Sequence, residues 1–460
     1  MIDSDLDVLF VNPSLDWVYN QNQKKAMRVE NNIPNQETPN IGIAYLMAAC
    51  KIKGYRSKYI DMVMDSFSVE ELLMIVDKMK PSLVGFTSFT VQIKAAGAIA
   101  AKIKRQTPDS IIGIGGPHAQ ALPQETLEEF PSFDFVVCGE GEIILPQILD
   151  CIRNNNELSK IPGVVTKGGN GHPLVRIKEV DSIPFPAWEE FNLNNYPGTY
   201  PHRTRLELPM ITGRGCPFQC TFCCNALGNE SRRRSVDSVL QEIERNINEF
   251  GCESIAFLDE TFNLKTDWLQ EFCSELIRKG LNKKITWSCS MRVSGNSYEM
   301  FQLFRKAGCY YVFFGFESAE ESTLKRIKKG TKISHMRDSV KWAKQVGIIP
   351  VGAFIIGLEG STEDEVFKAI ELGKELDLYS ITFPIAVPFP GTKLRELALK
   401  NKYGLRIMHN NWNDYGKQDP GVMESNDLTW AKRRELQKIA YSHHPKKKLD
   451  EYLLKLCAYK

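Results

Sequence analysis

Two series of short apolar segments, separated by helical segments, constrain the fold of this 460-residue chain more than any other feature. The first series predicts five strands, at residues 7–12, 56–60, 83–87, 111–115 and 134–138. The second series predicts six strands, at residues 209–212, 254–259, 285–290, 310–316, 349–356 and 380–387. Parallel strands need crossover connections, which are usually helices. The alternation therefore predicts an α/β chain with two parallel sheets.

The two series also divide the chain into regions. Residues 1–154 hold the first series and are expected to form a doubly wound domain of the flavodoxin or Rossmann type. Residues 155–205 are rich in glycine and proline, which predicts a linker with a small hairpin of residues 164–166 and 174–177. Residues 206–400 hold the second series, whose six βα units are fewer than the eight of a closed TIM barrel.

Composition excludes several classes of function. The chain carries 58 basic and 56 acidic residues, a net charge of +2, so no overall field favours nucleic acid or an anionic membrane. No apolar run approaches the ~18 residues that span a bilayer, and the acidic segment 1–5 does not resemble a signal peptide. Twelve cysteines without an export signal predict reduced thiols. We therefore expect a cytoplasmic protein with no nucleic-acid partner and no integral membrane segment.

Three cysteines with the spacing C-x-x-x-C-x-x-C lie in the segment 213–223: Cys216, Cys220 and Cys223. Soft thiolates suit iron–sulfur centres, and three of them can hold three irons of a 4Fe–4S cluster while the fourth iron stays open for a substrate or cofactor. A zinc site is the alternative, but such sites usually take four ligands, and no second pair occurs nearby. Cys224 is interpreted as a packed residue rather than a ligand.

The triplet resembles the signature of the radical S-adenosylmethionine (SAM) superfamily. Two glycine-rich turns precede it, each after a predicted strand: Gly115-Gly-Pro-His118 and Gly139-Glu-Gly-Glu142. Either turn alone is weak evidence, but their order ahead of the triplet resembles the cobalamin-binding branch of that superfamily. The resemblance implies a cobalamin-binding domain in residues 1–154, a partial (β/α)6 TIM barrel in residues 206–400, and three cofactors: a 4Fe–4S cluster, SAM and cobalamin. A first domain kept as structure without cobalamin is the alternative.

In that superfamily the open iron binds the amino and carboxylate groups of SAM, and side chains at successive strand ends hold the rest of the molecule. The resemblance implies SAM contacts at seven positions: Phe222, Asp259, Glu260, Ser290, Arg292, Glu317 and Gly357. Glu260 stands where relatives often have aspartate, and Glu359 stands where they usually have proline. Taken singly, each of these residues could be an ordinary surface or capping residue.

The resemblance implies cobalamin contacts at nine positions: Thr87, Ser88, Phe89, Thr90, Gly115, Gly116, His118, Gly139 and Glu140. Some cobalamin domains ligate cobalt through a histidine in an Asp-x-His-x-x-Gly loop, but the corresponding stretch, residues 88–97, contains no histidine. We therefore expect cobalt without a protein imidazole, with residues 87–90 near its lower face and His118 beside the corrin. No catalytic side chain is assigned beyond the cofactor ligands.

These expectations combine into one leading hypothesis: a cobalamin-dependent radical SAM methyltransferase acting on an unactivated carbon through a 5′-deoxyadenosyl radical and methylcobalamin. A radical SAM cyclase, or a rearranging or oxidising enzyme of the same fold, is the alternative. A cobalamin or iron–sulfur sensor without turnover is disfavoured, because the implied SAM contacts are complete. The expected partners are a small natural product or lipid-like substrate and an external one-electron reductant of the flavodoxin or ferredoxin type.

The C-terminal residues 401–460 lack the βα alternation and are expected to form a short helical cap, with a helix from Leu428 onward that is interrupted at Pro445. The resemblance implies that this cap covers the barrel mouth and contributes to substrate selection. A docked cap without ligand contact is the alternative.

Overall fold

The computed structural model describes residues 6–13, 38–62, 64–65, 67–169, 174–196, 204–416, 421–444 and 447–452. The chain folds into two compact units. The first comprises Met1–Tyr196 with Asn411–Tyr415, and the second comprises Pro197–Asn410 with Gly416–Lys460. Each unit is built around a six-stranded sheet.

The sheet of the first unit has the strand order β2-β1-β3-β4-β5-β6. Its strands are β1 (Val8–Asn12), β2 (Ser57–Asp61), β3 (Leu83–Thr87), β4 (Ile111–Gly115), β5 (Phe135–Val137) and β6 (Val164–Thr166). β1 to β5 pair in parallel, and the edge strand β6 is antiparallel to β5. The order 2-1-3-4-5 is that of flavodoxin-like sheets, which confirms the predicted doubly wound fold.

In the described parts of the sequence between these strands lie six helices: α1 (Ile41–Ile52), α2 (Val69–Met79), α3 (Ile93–Gln106), α4 (Pro117–Ala121), α5 (Pro123–Glu129) and α6 (Gly141–Arg153). Side-chain caps explain where two of them begin. The side chain of Asn40 accepts from the N–H of Ile43 at the start of α1, and Ser68 and Glu71 form a capping box at the start of α2. All five residues of β1 are buried, as expected for a parallel strand covered on both faces.

The segment 155–205, predicted as a linker, lies in large part within the first unit, which extends to Tyr196. The predicted hairpin is wrong, because β6 pairs with β5 and Val175 forms a bridge with Gly139. The physical reason is that an isolated two-stranded hairpin is marginally stable, whereas pairing with the edge of an existing sheet buries Val164 and Val165. Trp188 is likewise fully buried in this segment.

The second unit contains eight of its strands between residues 207 and 382: β7 (Glu207–Met210), β8 (Gly213–Arg214), β9 (Arg232–Arg233), β10 (Ser254–Phe257), β11 (Thr286–Met291), β12 (Cys309–Glu317), β13 (Ile349–Phe354) and β14 (Ser380–Thr382). Six of them form a parallel sheet in the order β14-β13-β12-β11-β10-β7. The spatial order follows the chain order, with β7 and β14 outermost. This arrangement confirms the predicted partial barrel.

The helices of this unit are α7 (Val236–Phe250), α8 (Thr266–Arg278), α9 (Tyr298–Lys306), α10 (Glu321–Arg326), α11 (Ile333–Gln345), α12 (Glu363–Leu376), α13 (Lys393–Leu399) and α14 (Trp430–His443). Ser235 caps α7 by accepting from the N–H of Ser238. A cluster of aromatic rings, including Phe257, Phe262 and Trp287, packs beneath β10 and β11.

The C-terminal residues contain the helix expected after Leu428, which is α14, together with two short strands that were not predicted. β15 (Arg406–Ile407) and β16 (Met423–Glu424) form an antiparallel pair, and Asn411–Tyr415 belongs to the first unit. α14 begins at Trp430, after a Thr429 cap, and Pro445 lies outside the described residues. Over the ranges that the structure describes, no helix has the length and apolar character needed to cross a membrane.

Candidate active site

The three cysteines of the motif lie on the loop between β8 and β9. Gly215 adopts φ +84°, and a Cβ at this position would lie 2.2 Å from the carbonyl oxygen of Glu230. Only glycine therefore allows the loop to close so tightly. The loop is further held by the Cys216 N–H, which donates to the carbonyl of Gly228 at 2.9 Å. Gly215 thus brings the two ends of this long loop close together, and the loop carries all three thiols.

Exposure separates the three motif cysteines and the adjacent Cys224 from the other described cysteines. Of the eleven cysteines that the structure describes, seven are buried, and the four that are not buried are Cys216, Cys220, Cys223 and Cys224. Cys224 lies with its Sγ 3.7 Å from the carbonyl oxygen of Pro390. Among the described residues, no three His, Cys, Asp or Glu side chains are arranged around one metal ion.

Basic side chains lie beside Cys220. The Arg292 guanidinium lies over the ring of Phe218, 3.5 Å from its centroid, and its Nη2 donates to the carbonyl of Lys329. The Lys329 Nζ forms an ion pair with Glu317 Oε1 at 2.8 Å, and both side chains are nearly buried. Burial raises the pKa of the Cys220 thiol, Lys329 and Arg292 lower it, and Glu317 raises it. The two cations therefore favour the thiolate that an iron needs.

The Glu317–Lys329 pair depends on a glycine two residues upstream. A Cβ at Gly315 would lie 2.3 Å from Glu317 Oε1 and 3.0 Å from Lys329 Nζ. Glu317 itself adopts φ +68°, a conformation that L-residues disfavour and that clusters at functional sites. Sequence analysis missed Lys329, because it lies beyond α10 and no local pattern connects it with Glu317.

Two adjacent carboxylates after β10 have different surroundings. Asp259 is buried and accepts from the N–H of Thr212 at 2.9 Å, from the Thr212 hydroxyl at 2.8 Å, and from the N–H of Gly213. Burial raises the pKa of Asp259, and Arg233 lowers it. Glu260 is exposed, and its charge raises the pKa of both Cys223 and Cys224. Asp259 therefore holds the entrance to the cysteine loop, whereas Glu260 lies beside its thiols.

Three predicted SAM positions remain: Phe222, Ser290 and Gly357. Phe222 and Ser290 are half-buried, the first on the cysteine loop and the second in β11. Gly357 follows β13 with φ +82°, and a Cβ there would lie 2.5 Å from the Cζ of Arg433. Gly357 therefore makes room for a fully buried arginine of α14. This contact was not predicted from the sequence, because it joins positions that are 76 residues apart.

Glu359, noted in the sequence as a departure from proline, supports the cysteine loop. The hydroxyl of Thr221 donates to Glu359 Oε1, and both residues are buried. The Thr221 N–H donates to the carbonyl of Ile327 at 3.1 Å, and its carbonyl accepts from the N–H of Leu394 at 2.8 Å. Thr221 thus ties the middle of the motif to three neighbouring segments.

In the first unit, two strand-end loops carry predicted cobalamin positions and lie against each other. Ser88 follows β3, and its N–H donates to the carbonyl of Gly115 at 3.2 Å. Gly116 adopts φ +98°, and a Cβ there would lie 2.7 Å from the carbonyl oxygen of Ser88. Phe89 is 53% exposed and Thr90 is buried, and the buried Ser88 hydroxyl has no hydrogen-bond partner among the residues that the structure describes. Thr87 to Thr90 and Gly115 to His118 therefore form one cradle at the carboxyl edge of the sheet.

Gly139 and Glu140 make different contacts. A Cβ at Gly139 would lie 2.2 Å from the carbonyl oxygen of Val175, and Glu140 Oε2 accepts from the N–H of Ile177 at 2.8 Å. The conformational freedom of Gly139 is therefore used to receive the 174–177 segment.

A buried polar network, which sequence analysis missed, supports the cradle. Asp61 at the end of β2 accepts from Asn12 at 3.0 Å, from Tyr59 at 2.9 Å and from Tyr196 at 3.2 Å. Gln92 donates to Asn12 Oδ1 at 3.1 Å, and Gln92 Oε1 accepts from the N–H of Phe89 at 3.0 Å. The network links the loop after β3 to the ends of β1 and β2.

Comparison with known proteins decides the family. Residues 210–373 match the Radical SAM superfamily, and residues 32–149 match the B12 binding domain. The uncharacterized methyltransferase of Pyrococcus horikoshii is 33% identical over 410 residues, which cover 88% of this chain and 87% of that protein. This chain belongs to the cobalamin-dependent radical SAM enzymes. The prediction from the cysteine triplet and the two glycine turns is confirmed.

Two further similarities bear on this family. The anaerobic magnesium-protoporphyrin IX monomethyl ester cyclase of Cereibacter sphaeroides is 28% identical over 370 residues, which cover 77% of this chain and 60% of that protein. Among solved structures, the radical SAM methyltransferase TsrM from Kitasatospora setae superimposes with a TM-score of 0.68 at 18% identity, covering 93% of this chain and 81% of that one. The latter likeness establishes the fold.

The cofactors of this radical SAM enzyme are a 4Fe–4S cluster, SAM and cobalamin. The residues present fit the cluster and cobalamin. The accessible thiols lie on the cysteine loop, and Lys329 and Arg292 lie beside Cys220. Positive charge at this place suits an anionic cluster bound by thiolates. The buried hydroxyl of Ser88 and the exposed ring of Phe89 offer adjacent polar and apolar contacts to a large ligand.

Proposed function

We propose that this enzyme transfers a methyl group to an unactivated carbon of a small natural product or lipid-like molecule. The observation that carries the proposal is the 33% identity, over most of both chains, with a relative named as a methyltransferase. When bound, the cluster and SAM supply a carbon-centred radical and cobalamin supplies the methyl group. The protein's own residues would hold these groups.

We assign the cluster to Cys216, Cys220 and Cys223. The support is that these thiols are accessible, lie on one hairpin loop, and are held by the Thr221–Glu359 hydrogen bond. Cys224 is left out because it lies outside the C-x-x-x-C-x-x-C spacing of the motif.

We assign SAM to the loops around this motif, with the predicted set Phe222, Asp259, Glu260, Ser290, Arg292, Glu317 and Gly357. Their surroundings support different roles within the set. Glu260 is exposed beside Cys223, so its carboxylate can accept from an ammonium group. Asp259, Arg292 and Glu317 form hydrogen bonds with neighbouring loops. These three residues therefore fix the positions of the loops that border the SAM site.

We assign cobalamin to the cradle of the first unit, with the predicted set Thr87, Ser88, Phe89, Thr90, Gly115, Gly116, His118, Gly139 and Glu140. The cradle lies at the carboxyl edge of a flavodoxin-like sheet, where such folds bind ligands. Gly139 and Glu140 support the assignment least, because both contact the 174–177 segment.

We further propose a cytoplasmic location and an external one-electron donor of the flavodoxin or ferredoxin type. The eleven described cysteines are free thiols, which suits a reducing compartment. A radical SAM reaction needs one electron at the cluster. The thiols of the cysteine loop are accessible, so an electron donor can approach the cluster there.

The test uses an extract from a strain that lacks the gene, incubated anaerobically with the enzyme, a reductant and methyl-deuterated SAM. We expect a product that carries an intact labelled methyl group, with S-adenosylhomocysteine and 5′-deoxyadenosine in about equal amounts, since a methyltransferase uses SAM both as methyl donor and as radical source. Cys220→Ala is the control, and it should give neither the labelled product nor 5′-deoxyadenosine. Deoxyadenosine formed with an unlabelled product would contradict methyl transfer.

That contrary outcome would favour the second candidate, a radical SAM cyclase or a related rearranging or oxidising enzyme. The observation behind this candidate is the 28% identity with the Cereibacter sphaeroides cyclase, of whose length the matched region covers 60%.

A further inference from the structure

The C-terminal part of the chain returns to the first unit over five residues, Asn411–Tyr415. A short 3-10 turn, Trp412–Asp414, lies in this segment and packs against the turn Thr90–Gln92 and against α3. The first of these partners contains the predicted cobalamin position Thr90. A segment more than 200 residues beyond the first sheet therefore forms part of its ligand edge.

Trp412 is held on three sides. Its Nε1–H donates to Glu129 Oε2, at the end of α5, at 2.8 Å. Its ring meets the ring of His118 at an angle of 76°, with centroids 4.9 Å apart. The ring of Tyr415, itself fully buried, lies 5.0 Å away. The indole is therefore a fixed wall beside the buried His118 side chain.

The segment is also anchored to the start of α3. Lys94 Nζ donates to Asn411 Oδ1 at 2.7 Å, and Asn411 Nδ2 donates to Asp414 Oδ2 at 2.7 Å. Lys94 is the second residue of α3, and α3 directly follows the turn Thr90–Gln92. The same five residues thus contact both loops of the cradle, one through His118 and the other through Thr90–Gln92.

We propose that Trp412 is a positioning residue of the cobalamin site, which fixes the His118 ring and the Thr90–Gln92 turn in the geometry that binds cobalamin. The inference rests on the proposed assignment of His118 and Thr90 to that site. The edge-on contact with His118 and the charge-assisted hydrogen bond to the Glu129 carboxylate together hold the indole in one orientation. The cobalamin site is therefore completed by the C-terminal segment.

The test uses the full-length, cobalamin-free protein and hydroxocobalamin as the probe, with the dissociation constant measured by absorbance titration. Trp412→Ala should weaken binding by about tenfold, the factor that corresponds to ~1.4 kcal/mol. Trp412→Phe keeps a ring against His118 but loses the donor to Glu129, so its loss should be smaller. Trp430→Ala is the matched control, because the Trp430 side chain is 45% exposed on α14, and it should bind as the wild type does.

A second measurement distinguishes positioning from a general loss of stability. In the cobalamin-free protein with isotope-labelled histidines, the His118 ring resonances are identified by their absence in His118→Ala. Trp412→Ala should shift them through the lost ring current, and Trp430→Ala should not. If Trp412→Ala does not fold, Trp412→Phe and Glu129→Leu carry the same comparison.

The outcomes separate the inference from the assignments on which it rests. Weaker binding by His118→Ala but unchanged binding by Trp412→Ala would overturn the positioning role and leave the cobalamin assignment standing. Unchanged binding by His118→Ala would overturn the assignment of His118, and the inference with it. Methyl transfer enters neither measurement, so failure of the proposed reaction would not affect either result.

Discussion

Lys329 Nζ lies 2.8 Å from Glu317 Oε1, and this nearly buried ion pair borders Cys220. Lys329→Met should destabilise the protein by roughly 3–5 kcal/mol, because it leaves the Glu317 carboxylate buried without its cation. The double variant with Glu317→Gln should recover much of that loss, since no buried charge is then left unpaired. Denaturant unfolding measures the free energy of unfolding of the single and the double variant. Lys328→Met is the matched control, because its side chain is exposed next to Lys329.

The same lysine should influence the cluster. Removing a positive charge near Cys220 makes the added electron less stable, so Lys329→Met should lower the reduction potential of the reconstituted cluster. The measurement is a redox titration followed by electron paramagnetic resonance. A potential equal to that of Lys328→Met would show that Lys329 acts on folding alone.

Anaerobic reconstitution should give about four irons and four sulfides per chain, as a 4Fe–4S cluster requires. Replacing Cys216, Cys220 or Cys223 with alanine should abolish 5′-deoxyadenosine formation, because each removes a thiolate ligand of one iron. Cys224→Ala should retain it, since that thiol lies outside the C-x-x-x-C-x-x-C motif. Full activity of Cys220→Ala would remove the basis of the cluster assignment.

Thr221 lies between two of these cysteines and donates to Glu359. Thr221→Val removes the donor and leaves a buried carboxylate short of a partner, which costs about 1–3 kcal/mol. We expect lower iron content after reconstitution and faster loss of iron to a chelator. Thr221→Ser keeps the hydroxyl and should behave as the wild type does. Equal iron loss in the two variants would mean that the hydrogen bond does not hold the loop.

Gly116 should be intolerant of a side chain. Gly116→Ala combines φ +98° with a Cβ 2.7 Å from the Ser88 carbonyl oxygen, so the two cradle loops would have to separate and cobalamin binding should weaken. Gly54→Ala is the matched control, because its φ is +77° with nothing within 4 Å of the added Cβ. It should lose a little stability from the backbone conformation alone, by about 1 kcal/mol, and keep its affinity for hydroxocobalamin.

Bound cobalamin should lack a protein imidazole beneath cobalt. The loop 88–97 contains no histidine, and His118 is held on α4 by the Trp412 ring. The cobalt(II) electron paramagnetic resonance spectrum should therefore show no nitrogen coupling from a histidine. Coupling that disappears in His118→Ala would contradict this arrangement.

The amino-acid sequence was sufficient for the local features of the fold and site. Apolar runs predicted the five parallel strands of the first sheet and the six of the second, because strand formation there follows from short-range pattern and burial. The cysteine triplet and the two glycine turns were equally local, and they predicted the family that the comparisons confirm.

Only the tertiary structure decided which distant residues meet. β6 joined the first sheet instead of a hairpin, Lys329 paired with Glu317, Arg433 filled the space above Gly357, and Trp412 reached His118. Each of these contacts joins residues separated by a turn, a helix or most of the chain. Periodicity records only which face of an element is buried, so it carries no information about which partner covers that face.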